Sequence, residues 1–210
     1  MNFNQLHDFR KRFIKTNNSQ DHVVLIGNNN ILISAPHGVS QVRLGKYKVS
    51  EIGSLATALY LQQKTHSYTI VKTKNNNDDA NFDESSLYKD SIEELVKKKN
   101  IKYLIDLHGL SAKRDCDINF GTHLGNNIKT NEKIFHDLNN TLIANGFITK
   151  IDQPFMAGGK TISGSMANKF SSLWTLQIDI NCSITNKVEN FDKYKRLLDI
   201  LTCWIESITQ

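Results

Sequence analysis

Tyr103-Leu104-Ile105-Asp106-Leu107-His108-Gly109 is the stretch that decides the fold. It is an apolar run of strand length interrupted by an acid and a histidine two positions apart. On a strand, residues two apart share a face, so Asp106 and His108 project to the same side at the carboxyl end of the run. An ionised carboxylate inside a sheet is costly unless it is paired, hydrogen-bonded or close to a metal. Two other runs have the same character. Ile31-Leu32-Ile33-Ser34-Ala35-Pro36 ends on His37, and Thr175-Leu176-Gln177-Ile178-Asp179-Ile180-Asn181 carries Asp179 in an otherwise core-like strand.

Outward from these runs, the periodicity alternates. An amphipathic helix is expected over 3–15, with Phe3, Leu6, Phe9, Phe13 and Ile14 on one side of Arg10-Lys11-Arg12. Short β-type runs at 22–26 and 31–35 flank Gly27-Asn28-Asn29-Asn30, which reads as a hairpin. A helix is expected from a cap at Ser50 to about residue 64, a strand over 67–72, and a helix over 84–99. Further strands are expected over 102–107, 118–120 and 174–180, with helices over 132–144, stopped by Gly146, and over 188–208. This alternation predicts a three-layer α/β/α sandwich with a mixed, mainly parallel central sheet, in one domain over 1–210.

Composition narrows the function classes. The 210 residues carry 26 Lys and Arg against 21 Asp and Glu, a net charge of +5, and 39% are hydrophobic. That charge is mild. Lys97-Lys98-Lys99 and Arg10-Lys11-Arg12 read as ordinary charged helix faces without interleaved aromatics, so no nucleic-acid partner is expected. Cys116, Cys182 and Cys203 are odd in number and lack C-x-x-C spacing, which argues against a disulfide framework and a thiolate zinc site. With no apolar leader at Met1–Asp8 and no run near the ~18 residues of a membrane span, the expectation is a cytoplasmic protein without a membrane partner. Gly164-Ser165 is not in a G-x-S-x-G elbow, which removes the serine hydrolases.

In open α/β sheets, sites gather beyond the carboxyl ends of the strands, which singles out His37, His108 and Asp179. A catalytic zinc commonly takes three protein ligands and keeps one position open. Glu51, 14 residues after His37 at an expected helix start, is the candidate third ligand beside His37 and His108. Each taken alone also fits an ordinary strand-end histidine or first-turn glutamate.

The fragments Ile33-Ser34-Ala35-Pro36-His37-Gly38, Arg43 to Glu51, Ile105-Asp106-Leu107-His108-Gly109, Arg114, Asp117, Gly121-Thr122, Pro154-Phe155-Met156-Ala157-Gly158-Gly159 and Leu176 to Asn181 occur in this order. That ordered set, over roughly residues 31–185, resembles the N-formylglutamate amidohydrolases. The resemblance implies a zinc carboxypeptidase-like fold, one Zn2+ on His37, Glu51 and His108, and hydrolysis of an amide in a small anionic N-acyl amino acid or short peptide. Asp179 matches the acid that serves as general base, a glutamate in the usual pattern. Asp79-Ala80-Asn81-Phe82 matches an Asp-x-Asn-Arg motif without its arginine, which leaves Arg114 to take an anionic group or the developing oxyanion. Asn81, Gly158 and Lys160 are the remaining substrate-binding candidates. The rivals are a carboxypeptidase-like or γ-glutamyl peptide hydrolase on the same fold, and a non-catalytic binding protein. The oligomeric state is not legible.

Overall fold

Two strands carry the sheet: Trp174–Asn181, in which all eight residues are buried, and Tyr103–Leu110 beside it in parallel register. The computed structural model describes residues 2–209. In chain order its elements are α1 (Phe3–Asn17), β1 (His22–Leu25), β2 (Ile31–Ala35), β3 (Gln41–Arg43), β4 (Lys46–Lys48), α2 (Ile52–Thr65), β5 (Tyr68–Lys72) and α3 (Leu87–Lys98). There follow β6 (Tyr103–Leu110), β7 (Ile118–Gly121), α4 (Glu132–Ala144), β8 (Thr149–Ile151), α5 (Ile162–Lys169), β9 (Trp174–Asn181), α6 (Cys182–Thr185) and α7 (Phe191–Ile208). The main sheet has seven strands in the order β1-β5-β2-β6-β9-β7-β8, and β3 pairs with β4 in a separate ribbon. Only β1 with β5 and β7 with β9 run antiparallel in the main sheet.

The two faces of the sheet bury different sets. On one face Ile31, Ile33, Ile105, Leu107, Leu176 and Ile178 pack under α1, α2, α4 and α7. On the other, Leu32, Ile70 and Leu104 pack under α3 and α5 through Tyr88, Ile92, Ile162 and Met166. Helices therefore cover both faces, the arrangement that lets central parallel strands read as nearly continuous apolar runs. Cross-strand neighbours share a face, and the register sets polar residues in two adjacent rows. Ser34, Asp106 and Gln177 form one, which Gly121 continues without a side chain; His108, Asp179 and Asn119 form the next.

The chain leaves β2 through α2 to β5 on one side and returns through α3 to β6 on the other. The reversal between β2 and β6 is the topological switch point, where helix connections part and open a crevice at the strand ends. His37 follows β2, and His108 lies near the end of β6.

Several sequence expectations need correction. The runs at 22–25 and 31–35 do not form a hairpin, because β5 lies between them. Gly27 to Asn30 instead crosses the start of β5. A Cβ at Gly27 would stand 2.2 Å from Tyr68 N, and Asn28 N–H donates to His66 O at 2.9 Å. Both edges of β2 are taken by parallel ladders to β5 and β6, so none is left for β1, which pairs with β5 instead. Ser50 is not the cap of α2. Glu51 occupies that position, and its side chain makes no capping bond. The helix over 84–99 starts later, at Leu87 behind an Ser86 cap, and a 3-10 turn replaces the first residues of the closing helix. The β3–β4 ribbon, β8 and α5 have no counterpart in the sequence reading. No helix among the described residues is long and apolar enough to cross a membrane.

Candidate functional site

His37, Glu51 and His108 converge at the switch point, each offering a ligand atom within 4.8 Å of the others. Their approach follows from local structure. The chain turns after Ala35, and Glu51 N–H donates to His37 O at 2.9 Å, which closes the β2–α2 connection. Freed from capping, the Glu51 carboxylate reaches back into the crevice. Its Oε1 is 2.8 Å from His37 Nδ1, and its Oε2 accepts Gly109 N–H at 2.7 Å and lies 3.3 Å from His108 Nδ1. Gly109 has to be small here, because a Cβ would stand 3.1 Å from both Cβ and Cγ of Glu51.

Both imidazoles present Nδ1 to the centre and Nε2 to an aspartate. His37 Nε2 donates to Asp79 Oδ1 at 3.0 Å, and His108 Nε2 donates to Asp106 Oδ2 at 3.1 Å. An ionised carboxylate only accepts, so Nε2 carries the hydrogen, and Nδ1, which faces the Glu51 carboxylate, can bind a cation once it gives up its own proton. The aspartates are fixed in turn. Arg43 Nε donates to Asp79 Oδ2 at 2.8 Å, and Ser34 Oγ donates to Asp106 Oδ1 at 2.8 Å.

The electrostatics favour positive charge at the centre. Burial pushes both histidines toward neutrality, but carboxylates outweigh it: Glu51 and Asp79 raise His37, and Asp106 and Glu51 raise His108 well above the ordinary range. Burial opposes ionisation of Glu51 and Asp79, yet the histidines hold Glu51 far below its usual value, and His37 with Arg43 holds Asp79 at about 2. The two Nδ1 atoms are 3.2 Å apart and cannot both carry a proton toward each other. A single divalent ion answers all three inward donors. Four-coordinate N and O ligands at ~2.0 to 2.2 Å lie roughly 3.3 to 3.6 Å apart; here the two Nδ1 atoms are 3.2 Å apart, His37 Nδ1 is 2.8 Å from Glu51 Oε1 and His108 Nδ1 is 3.3 Å from Glu51 Oε2, and one ligand atom from each residue lies within 4.8 Å of the others.

Asp179 occupies the next strand, in register with His108 on one side and Asn119 on the other. It is 2% exposed and accepts from Asn119 Nδ2 at 2.7 Å and from Gln177 Nε2 at 3.0 Å. Burial raises its pKa to about 6 against the pull of His108 and those two amides. Asn119 is itself pinned, donating to Phe155 O at 3.0 Å and accepting Gln153 N–H at 2.9 Å.

The other sequence candidates lie farther out. Arg114 is exposed in the β6–β7 loop, where its carbonyl accepts from Asn181 Nδ2 at 3.2 Å and its guanidinium meets no carboxylate within bonding distance among the described residues. Asn81 spends its Oδ1 on Ile162 N–H, 2.7 Å, at the start of α5. Lys160 pairs with Glu84 at 2.8 Å on the surface. Gly158 lies against the His123 ring, whose Cδ2 would be 2.7 Å from an added Cβ. Sequence reasoning did not single out Asp79, Arg43, Gln177 or Asn119 for the site. A polar residue inside the apolar run Ile118-Asn119-Phe120 was the one signal available for Asn119.

The sheet, its helical layers and this cluster define an α/β protein with a His–Glu–His group able to hold a metal ion at the topological switch point. No family model matches the sequence, and no curated protein does. Among solved structures the chain is similar to a gene product of Agrobacterium tumefaciens, with a TM-score of 0.63 and 11% identity over 95% of this chain and 99% of that one. It is similar also to N-formylglutamate amidohydrolase from Ralstonia eutropha, TM-score 0.59 and 10% identity over 90% and 98%. A bacteriophage poly-gamma-glutamate hydrolase gives 0.59 and 10% over 90% and 89%. At such identities the likeness establishes a shared fold.

Proposed function

We propose that this chain is a zinc-dependent amidohydrolase that cleaves the amide bond of a small N-acyl amino acid. The observation that carries the reading is the paired arrangement in which two Nδ1 atoms and Glu51 face one point while each Nε2 is held by its own aspartate. Carboxylate–histidine pairs of this kind fix the tautomer and raise the basicity of metal ligands. The shared fold with an N-formylglutamate amidohydrolase and a poly-gamma-glutamate hydrolase supports the reading as an analogy.

His37, Glu51 and His108 would hold the ion, which would supply Lewis-acid polarisation and acidify water there. Asp179 lies one strand from His108, and in the metal-free protein burial raises its pKa to about 6, so that even lowered by a bound cation it is ionised near neutrality and able to accept a proton. Its carboxylate takes the proton from the attacking water and delivers it to the leaving nitrogen as the C–N bond breaks. Asn119 and Gln177 hold the carboxylate in position while it does so. Arg114, exposed in the β6–β7 loop and without a carboxylate partner among the described residues, is the candidate to meet negative charge on the substrate.

The test is release of free amino acid from N-formyl and N-acetyl amino acids by zinc-loaded protein. The expected result is turnover that a chelator abolishes and zinc restores. Zinc-loaded protein that cleaves none of these compounds contradicts the reading.

A further inference from the structure

Arg43 is committed to the site through only one of its five N–H groups. Nε donates to Asp79 Oδ2, whose other oxygen holds His37, so one side chain separates the guanidinium from the cluster. The guanidinium carbon lies 5.0 Å from the centroid of the Phe82 ring. Salt bridge and ring together fix the plane of the group and reduce the entropy lost when it binds something further. Neither Nη has a partner among the described residues, and 34% of the side chain is exposed. Cross-strand pairing places Lys46 opposite Arg43 and Lys48 opposite Gln41, both lysines exposed, so this face of the β3–β4 ribbon is positive beside a centre lined by carboxylates.

We infer that Arg43 binds the substrate carboxylate, presenting Nη1 and Nη2 as a fork to its two oxygens. The inference rests on the amidohydrolase reading and deepens it by naming the group that recognises the amino-acid end of the substrate. A planar guanidinium matches a carboxylate with two parallel hydrogen bonds, which an ammonium cannot reproduce. The salt bridge to Asp79 leaves that fork intact because it uses Nε. Arg114 then remains for charge that develops on the acyl side.

The alternative is that Arg43 only holds Asp79, and the two roles respond differently to one experiment. Zinc-loaded wild type, Arg43→Gln and Arg43→Lys are assayed on an N-acetyl amino acid and on its α-carboxamide, which lacks the carboxylate. The readout is the ratio of kcat/KM for the two compounds. Wild type is expected to favour the carboxylate by about 10- to 100-fold, the range of hydrogen bonds to charged groups. Arg43→Gln is expected to bring the ratio close to one, with the loss mainly in KM. Arg43→Lys is expected to recover little of it, because one ammonium cannot satisfy Asp79 and both substrate oxygens. A ratio that survives in Arg43→Gln, or that Arg43→Lys restores, overturns the inference. Calorimetric binding of the same two compounds gives the ratio independently of turnover. Selective binding without turnover therefore counts against the hydrolase reading alone, and no selectivity in binding counts against Arg43.

Discussion

Replacing Asp179 by Asn separates a catalytic from a structural role for the buried acid on the strand beside His108. Its pKa of about 6 lies roughly 2 units above the ordinary 3.8, which makes the ionised form cost about 3 kcal/mol in the fold. An acid whose folded pKa is raised destabilises the protein fully above about pH 6, and the cost fades as pH falls toward the unfolded value. Asn removes the charge and with it that cost. It also turns an NH2 toward the amide donors of Asn119 or Gln177, a mismatch of about 1 to 3 kcal/mol. The two effects nearly cancel at pH 8, so the variant should melt within a few degrees of wild type there. At pH 5, one unit below the folded pKa, wild type has recovered about 1.4 kcal/mol and the variant has not. The comparison uses metal-free protein, since a bound cation would lower the pKa. With zinc, turnover of the variant should fall by about 10²- to 10⁴-fold, the contribution of a positioned base. In wild type the acid limb of the rate profile should lie at or below pH 6. An Asn variant that is clearly destabilised at pH 8 yet keeps full activity per folded molecule refutes the assignment.

Three further outcomes follow from the geometry. Asp106→Asn, which weakens the acceptor at His108 Nε2, should lower zinc affinity about 10- to 100-fold in a chelator competition while the circular dichroism spectrum stays that of wild type. Gly109→Ala should press on Glu51 and weaken zinc binding without unfolding the sheet; unaltered affinity would show that Glu51 gives way freely. Tyr88→Phe should cost about 1 to 3 kcal/mol in urea unfolding, because Tyr88 Oη donates to Ile70 O and accepts the buried Ala35 N–H, which the variant leaves unpaired.

The sheet was legible in the sequence where burial is two-sided. Strands β2, β6 and β9 read as apolar runs, and the polar residues interrupting them marked the crevice, because a buried acid or histidine needs a partner wherever it falls. Strand order was less legible. The Gly27 to Asn30 segment has the composition of a tight turn, and nothing local reveals that β5 inserts beside it. The β3–β4 ribbon escaped because its exposed Lys46, Tyr47 and Lys48 bury no face that would impose a pattern. His37, Glu51 and His108 could be proposed from positions at element ends, and Asp106 as the partner of His108 from the two-residue spacing on one strand, whereas the partners of His37 could not. Asp79 comes from a loop, and Arg43 reaches it from the ribbon, so their meeting is a product of tertiary packing.

The central claim is that His37, Glu51 and His108 form one metal site. Its most direct test is metal content, measured by mass spectrometry after zinc loading and removal of free ion, in wild type and in His108→Ala. The account predicts one zinc per wild-type chain and far less than one in the variant, with the variant still folded by circular dichroism. A wild-type protein that retains no zinc, or a folded His108→Ala that retains one per chain, contradicts it.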